Sequence, residues 1–278
     1  MPDNDFSETN FLKEFIEEVP KHNINPTPVI TSNKTKKFIE IINNYSEIFN
    51  NHAAIKISLS EFDNLSEILK SIITNINIEV NNLDLIIDLE QITLPKGSLN
   101  TLTSIIDSII NEFELNKYNS MIITGSSFPE TLSGIQAWSI IKNPRKEFII
   151  WQELREKYPD LIFGDYVSDD PKDPSFNHKV IIIPTIRYTY NENWYIFRGE
   201  HDEDKPYDYS QFHKLSQDLV DHHIYCGKDF SWSDKRINNI ANTKCKNTNC
   251  NHGNAESWVQ IAVNHHISFV VNQLQEFF

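Results

Sequence analysis

Residues Leu83–Leu89 read LDLIIDL, and behind them Leu99, Leu102, Ile105, Ile106, Ile109 and Ile110 recur at helical spacing. A short aliphatic run suits a strand covered on both faces, and the period of 3.6 residues suits the helix that covers it. The same couple repeats upstream. PTPVIT (Pro26–Thr31) precedes Phe38, Ile41, Ile42 and Tyr45, and AAIKISL (Ala53–Leu59) precedes Leu65, Ile68, Leu69 and Ile72. Downstream come SMIITG (Ser120–Gly125), a helix-like region through Trp138 to Tyr158, and LIFGDY (Leu161–Tyr166). Strand, crossover helix and strand again predict a parallel sheet, and a unit of roughly 30 residues fits a (β/α) barrel of the TIM type. A dinucleotide fold would want a glycine-rich first turn, which is absent.

From Lys179 the pattern changes. VIIIPTIRYTY and WYIFRG, separated by NEN, predict a β-hairpin. An acidic surface loop follows over 200–210, then a tail of helical period from about Gln211, broken by a Cys/Asn-rich loop over 241–255. The tail ends with Val263, Ile267, Val270, Val271 and Leu274 as its apolar face. With no internal repeat and no linker, residues 1–278 read as one domain.

The bulk composition excludes several classes. The formal charge of −14 opposes binding to a phosphate backbone in bulk, although a local basic pocket is compatible with it. No apolar run is long enough for a membrane span, and the acidic start MPDNDFSETNFLKEF lacks the features of a secretory signal, so a cytoplasmic location is expected. Three cysteines make no disulfide framework. No Walker A, His-Glu-x-x-His or dinucleotide fingerprint occurs, so no cofactor is assigned.

MIITGSSFPE (Met121–Glu130) ends a strand in Gly125, Ser126 and Ser127. A nucleophile elbow needs a second glycine, which is missing here, so serine catalysis is disfavoured. The expectation is a tight turn at Gly125, with the serines capping a helix whose N–H groups bind an anion; Ser127 and Glu130 have capping-box spacing. Other residues close the strands too: Lys56 and Ser58, Asp88, Asp165 with Tyr166, Arg187 with Thr189, and Arg198. Carboxyl ends of parallel strands carry ligand sites, and arginines there clamp phosphate oxygens. The opposing expectation is that Asp88, Asp165, Arg187 and Arg198 only neutralise one another.

His265 and His266 are consecutive and cannot share a helix face; one is expected to point inward, and His266 is the preferred general base. Cys226, Cys245, Cys250 and His252 offer a low-probability zinc site with untidy spacing. Trp232 and Arg236 are four residues apart in FSWSDKRI, the spacing of a cation–π pair on a helix, and are candidate ligand contacts.

The ordered motifs GSSFP, FGDY, IRYT, WYIFRG, FSWSDKRI, GNAESW and NHHISFVV resemble the Beta protein family of bacteria and phages, most clearly from Asp84 to Leu274. Two more strand–helix units at the front are implied by the resemblance, so the barrel is expected to be incomplete unless a partner chain supplies the wall. A role in bacterial anti-phage defence is implied too. Taken together, the expectation is a barrel protein binding an anionic, phosphorylated or nucleotide-like ligand. If it is an enzyme, acid–base hydrolase or lyase chemistry by Asp165, His266 and Asp88 is expected. The alternative is a noncatalytic sensor or interaction module that recognises a phage protein, a partner subunit or its own copy.

Overall fold

The two aliphatic runs on which the sequence reading turns are neighbouring strands. Ala53 lies opposite Leu83 and Ser58 opposite Asp88 in parallel register. The computed structural model describes residues 3–22, 25–112, 117–168, 183–201, 204, 209–243 and 252–277. In chain order its first elements are α1 (Asp3–Glu18), β1 (Val29–Ile30), α2 (Lys36–Asn44), β2 (Ala53–Ser58), α3 (Leu65–Asn75), β3 (Leu83–Gln91), α4 (Leu99–Glu112) and β4 (Ser120–Ser126). Then come β5 (Ile140–Pro144), α5 (Lys146–Arg155), β6 (Ile162–Phe163), β7 (Thr185–Tyr190), β8 (Asn193–Arg198), α6 (Gln211–Val220), α7 (Trp232–Asn242) and α8 (Ala255–Gln275).

Two compact units divide the chain, Met1–Gly125 with Ile150–Asp165, and Ser126–Ile149 with Tyr166–Phe278. The first holds a five-stranded sheet in the order β1-β2-β3-β4-β6, parallel at β1–β2, β2–β3 and β4–β6. Its helices bury the apolar stripes that the periodicity marks: Phe38, Ile41 and Ile42 on α2, Leu65, Leu69 and Ile72 on α3, and Leu99, Leu102, Ile106 and Ile110 on α4. Tyr45 and Ile105 stay outside these stripes, each more than 40% exposed. Thr35 caps α2 by accepting a hydrogen bond from the Phe38 N–H at 3.3 Å.

The second unit holds an antiparallel sheet in the order β5-β8-β7. Tyr190 faces Asn193 across the hairpin, so only Asn191 and Glu192 form the joint, and Asn191 takes the positive φ of 51° that such a tight turn needs. On one side of this sheet Ile186, Tyr188 and Phe197 pack with Phe212 and Leu215 of α6, Ile237 of α7 and Trp258 of α8. Among the described residues the strands form these two sheets and no closed barrel.

Three local expectations are corrected. The region Trp138–Tyr158 is not one helix: Ile140–Pro144 is strand β5, paired to β8, and α5 starts only at Lys146. No helix follows Gly125 directly, and Ser127 instead accepts a 3.0 Å hydrogen bond from Lys146 N–H at the distant start of α5. On α8 the buried stripe is Trp258, Ile261, Ala262, His265, His266 and Val270, whereas Ile267 and Val271 are 50% and 53% exposed. Both histidines point inward.

Gly125 is also set by something other than a turn, since its φ is not in the positive range. A Cβ there would lie 3.1 Å from the Leu89 Cβ and 3.3 Å from the Ile92 Cδ1. The glycine lets β4 pass close against the end of β3. Gly125→Ala is therefore expected to lower unfolding stability by about 1–3 kcal/mol through overpacking. Urea denaturation checks this, with the midpoint falling and the slope unchanged.

Candidate functional site

In the first unit the polar strand-end residues bind one another. Lys56 Nζ lies 2.9 Å from Asp88 Oδ2, and the other oxygen of Asp88 accepts from Glu90 N–H at 2.9 Å, where the backbone turns at a positive φ of 53°. Asp88 is only 2% exposed, so these partners offset the cost of burying its charge. Ser58 donates to Glu61 Oε2 at 2.8 Å in a capping box that ends β2. Asp165 is half-buried and already has interaction partners.

In the second unit alternation along the hairpin sorts the side chains by face. Arg187 pairs with Ile196, and Thr185 pairs with Arg198. Successive residues of a strand point to opposite faces, and directly paired residues share one. Thr185, Arg187 and Thr189 of β7 and Trp194, Ile196 and Arg198 of β8 therefore occupy one face, opposite the one that packs on α6 and α7. The two arginines are diagonal neighbours. Phe128, Trp194 and Ile196 form a small apolar cluster on this face, with Phe128 set edge-on to Trp194.

The Arg187 guanidinium lies 4.9 Å from the Phe128 ring centre and donates to Ser168 Oγ at 2.9 Å. Arg198 is 9% exposed, and its one side-chain hydrogen bond among the described residues goes to Thr185 Oγ1 at 2.7 Å. Burial pulls the Arg198 pKa down from the ordinary arginine value, as desolvation of a cation must.

Thr189 ties the two faces together through the helix that follows. Its hydroxyl lies 2.7 Å from His266 Nδ1, and its carbonyl accepts from His265 Nε2 at 2.9 Å. His266 stacks on Trp194 at 4.5 Å, and His265 stacks on Tyr188 at 3.7 Å. Consecutive histidines of α8 thus pack against neighbouring positions of β7 that face opposite ways. His266, the preferred base, is 1% exposed and fixed on both ring edge and ring face.

His265 belongs to a buried ion pair. Its Nδ1 lies 3.0 Å from Asp234 Oδ2, which also accepts from Ser231 Oγ at 2.5 Å, while Asp234 Oδ1 accepts from the Tyr188 hydroxyl at 2.7 Å. Burial works to raise the Asp234 pKa, but the bonds from His265, Ser231 and Tyr188 outweigh it and hold the carboxyl below its usual range. Both ring nitrogens are engaged, one by a carboxylate and one by a carbonyl, so neither faces a substrate. Burial also pushes the Tyr188 phenol far up, so it remains a donor. Sequence reading missed this cluster. The signal was Ser231-x-x-Asp234, an N-cap whose acid turns inward.

The remaining candidates do not converge. Ser126 accepts from Phe128 N–H at 3.3 Å, Ser127 donates to Glu147 Oε2 at 2.5 Å, and Tyr166 is half-buried. Trp232 is 57% exposed on the first turn of α7 and forms no cation–π contact with Arg236, because it turns into solvent. Cys226 is a half-buried free thiol whose pKa is raised chiefly by burial, which disfavours the metal-binding thiolate. Trp258 Nε1 donates to the His252 carbonyl at 2.8 Å, and Cys245 and Cys250 lie outside the described residues. Among the described residues no group of three or more metal-binding side chains gathers. No described helix is long and apolar enough to cross a membrane.

Removing the acid should expose the role of the ion pair. Asp234→Asn leaves His265 buried without its counter-charge and is expected to cost about 3–5 kcal/mol near pH 7. The folded-state pKa of Asp234 lies below its unfolded value near 3.8, so its contribution is full above that pH and is lost as pH falls through the folded value. Urea titrations of both proteins from pH 7 to pH 3 check this; the stability gap should narrow below about pH 4.

No curated protein and no solved structure matches the sequence. The family model described as Beta protein matches residues 1–272, which extends beyond the stretch where the ordered motifs are clearest. Nearly the whole chain is covered, and the chain belongs to the Beta protein family.

Proposed function

We propose that this protein binds an anionic, phosphate-bearing ligand through the Arg187 and Arg198 face of its antiparallel sheet, in the anti-phage defence setting that the family resemblance implies. The observation that carries this reading is Arg198. It is a guanidinium 9% exposed with a single threonine hydroxyl as its side-chain partner among the described residues. A buried cation is costly without an opposing charge, and a guanidinium offers more donors than one hydroxyl can accept. A phosphate supplies both the charge and the acceptor oxygens, and Arg187 is the diagonal neighbour suited to share them.

Binding is favoured over turnover by the state of the expected acid–base groups. Asp88 is held by Lys56 and the Glu90 N–H, and His266 is held by Thr189 beneath Trp194. Calorimetric titration with inorganic phosphate and with nucleoside mono- and triphosphates tests the reading. Arg198→Met should weaken binding about tenfold or more and leave thermal stability unchanged or higher, because a buried charge with no counter-charge among the described residues is replaced by an apolar stem. Unchanged affinity, or a loss of stability in place of a loss of binding, would make Arg198 structural.

A second reading, an interaction module, is favoured by Val259, Ile267 and Val271, exposed by 40%, 50% and 53% along α8. Positions spaced in multiples of four line one side of a helix. If this side binds another copy of the chain, light scattering should show a dimer that Ile267→Asp converts to a monomer. A monomer in both samples rejects self-association.

A further inference from the structure

We infer that a cleft between the start of β5 and helix α6 is a binding site for an organic cation bearing an alkylammonium group. The cleft, of about 410 Å³, is lined by Trp138, Phe197, Lys214, Leu215, Asp218 and Asp221. None of these residues contributes to the arginine face, and the inference stands independently of the anion site.

Trp138 is the first sign. Its φ is +57°, a left-handed conformation that is an outlier for a bulky side chain, and its ring is nevertheless 42% exposed. Core packing therefore does not explain its conformation. Two hydrogen bonds pin it: the Trp138 N–H donates to the Arg198 carbonyl at 2.9 Å, and the indole Nε1 donates to Glu200 Oε2 at 3.0 Å. The Arg198 N–H donates in turn to the Ser139 carbonyl at 3.0 Å, so Trp138 and Ser139 together oppose Arg198 in a β-bulge at the entry to β5, and this bulge holds the indole at the rim of the cleft.

The second sign is what already sits there. Lys214 Nζ lies 5.8 Å from the Trp138 ring centre and 3.1 and 3.2 Å from the two oxygens of Asp218. An indole face and a carboxylate are the two groups that recognise an ammonium ion, by cation–π attraction and by a charge-assisted hydrogen bond. The lysine is itself largely exposed and is tethered by a flexible stem, so it acts as a displaceable internal ligand. Asp221, one turn beyond, is exposed and has no side-chain partner among the described residues, which leaves a second carboxylate for a second positive group. His222, on the same wall, has its pKa lowered by burial and by His223, so it adds no opposing charge at neutral pH.

Isothermal titration with spermidine and with Nα-acetyl-lysine amide, against neutral Nα-acetyl-norleucine amide, tests the site at low ionic strength. Both amines should bind and the neutral analogue should not. Lys214→Met removes the internal competitor and should tighten binding by about threefold or more, whereas Trp138→Leu and Asp218→Asn should each weaken it by about tenfold. A preference for spermidine identifies a free polyamine as the ligand class, and a preference for the lysine amide identifies a partner's side chain. The site is overturned if wild type and Lys214→Met bind neither amine, or if amine affinity is the same with and without the Trp138 ring.

Discussion

Thr189 is the point on which the second unit depends. It spends its hydroxyl on His266 and its carbonyl on His265, and so fixes α8 against strand β7. Everything that gives this unit its character follows from that register. His265 is carried to Asp234 and Tyr188, where an ion pair is closed by α7. His266 is carried to Trp194 and helps to cover the face on which the arginines lie. A slip of one residue along β7 would exchange the two faces of the sheet and put Arg187 toward the apolar cluster of α6 and α7.

The same constraint separates structural polar groups from groups available for recognition. A catalytic base needs access to its substrate, and His265 is fully buried with both ring nitrogens engaged. Asp88 and Ser127 are similarly consumed, the first by Lys56 and a backbone N–H, the second by Glu147 and the start of α5. These sites follow the rule that buried polar groups are paired, whether or not a substrate exists. Arg198 is hydrogen-bonded too, but its partner among the described residues is a neutral hydroxyl with no counter-charge, and the function proposed for the protein rests on that missing charge.

Much of the architecture was legible because each parallel strand and its helix announce themselves within a few residues. Ile41, Ile42, Leu69 and Ile106 are buried where their spacing puts them. The β7–β8 hairpin was legible from a polar joint between two β-prone runs. Strand β5 was not, because its identity rests on pairing with β8, whose residues lie 49 to 57 positions further along the chain, and Ile140 on it is 44% exposed. The inward face of α8 was misread because histidines at 265 and 266 count as polar in any hydropathy pattern, although Asp234 and Thr189 make their burial favourable. Arg187 and Arg198 were identified by type and place in the chain, but their common face required the strand register.

The most direct test of the account is the side-chain NMR signal of Arg198 itself. With the Nε–H resonance assigned by its loss in Arg198→Lys, titration of phosphate-bearing ligands should shift it saturably, and by the same binding curve that calorimetry gives. A ligand that binds the protein while the Arg198 Nε–H resonance stays unmoved would contradict the account.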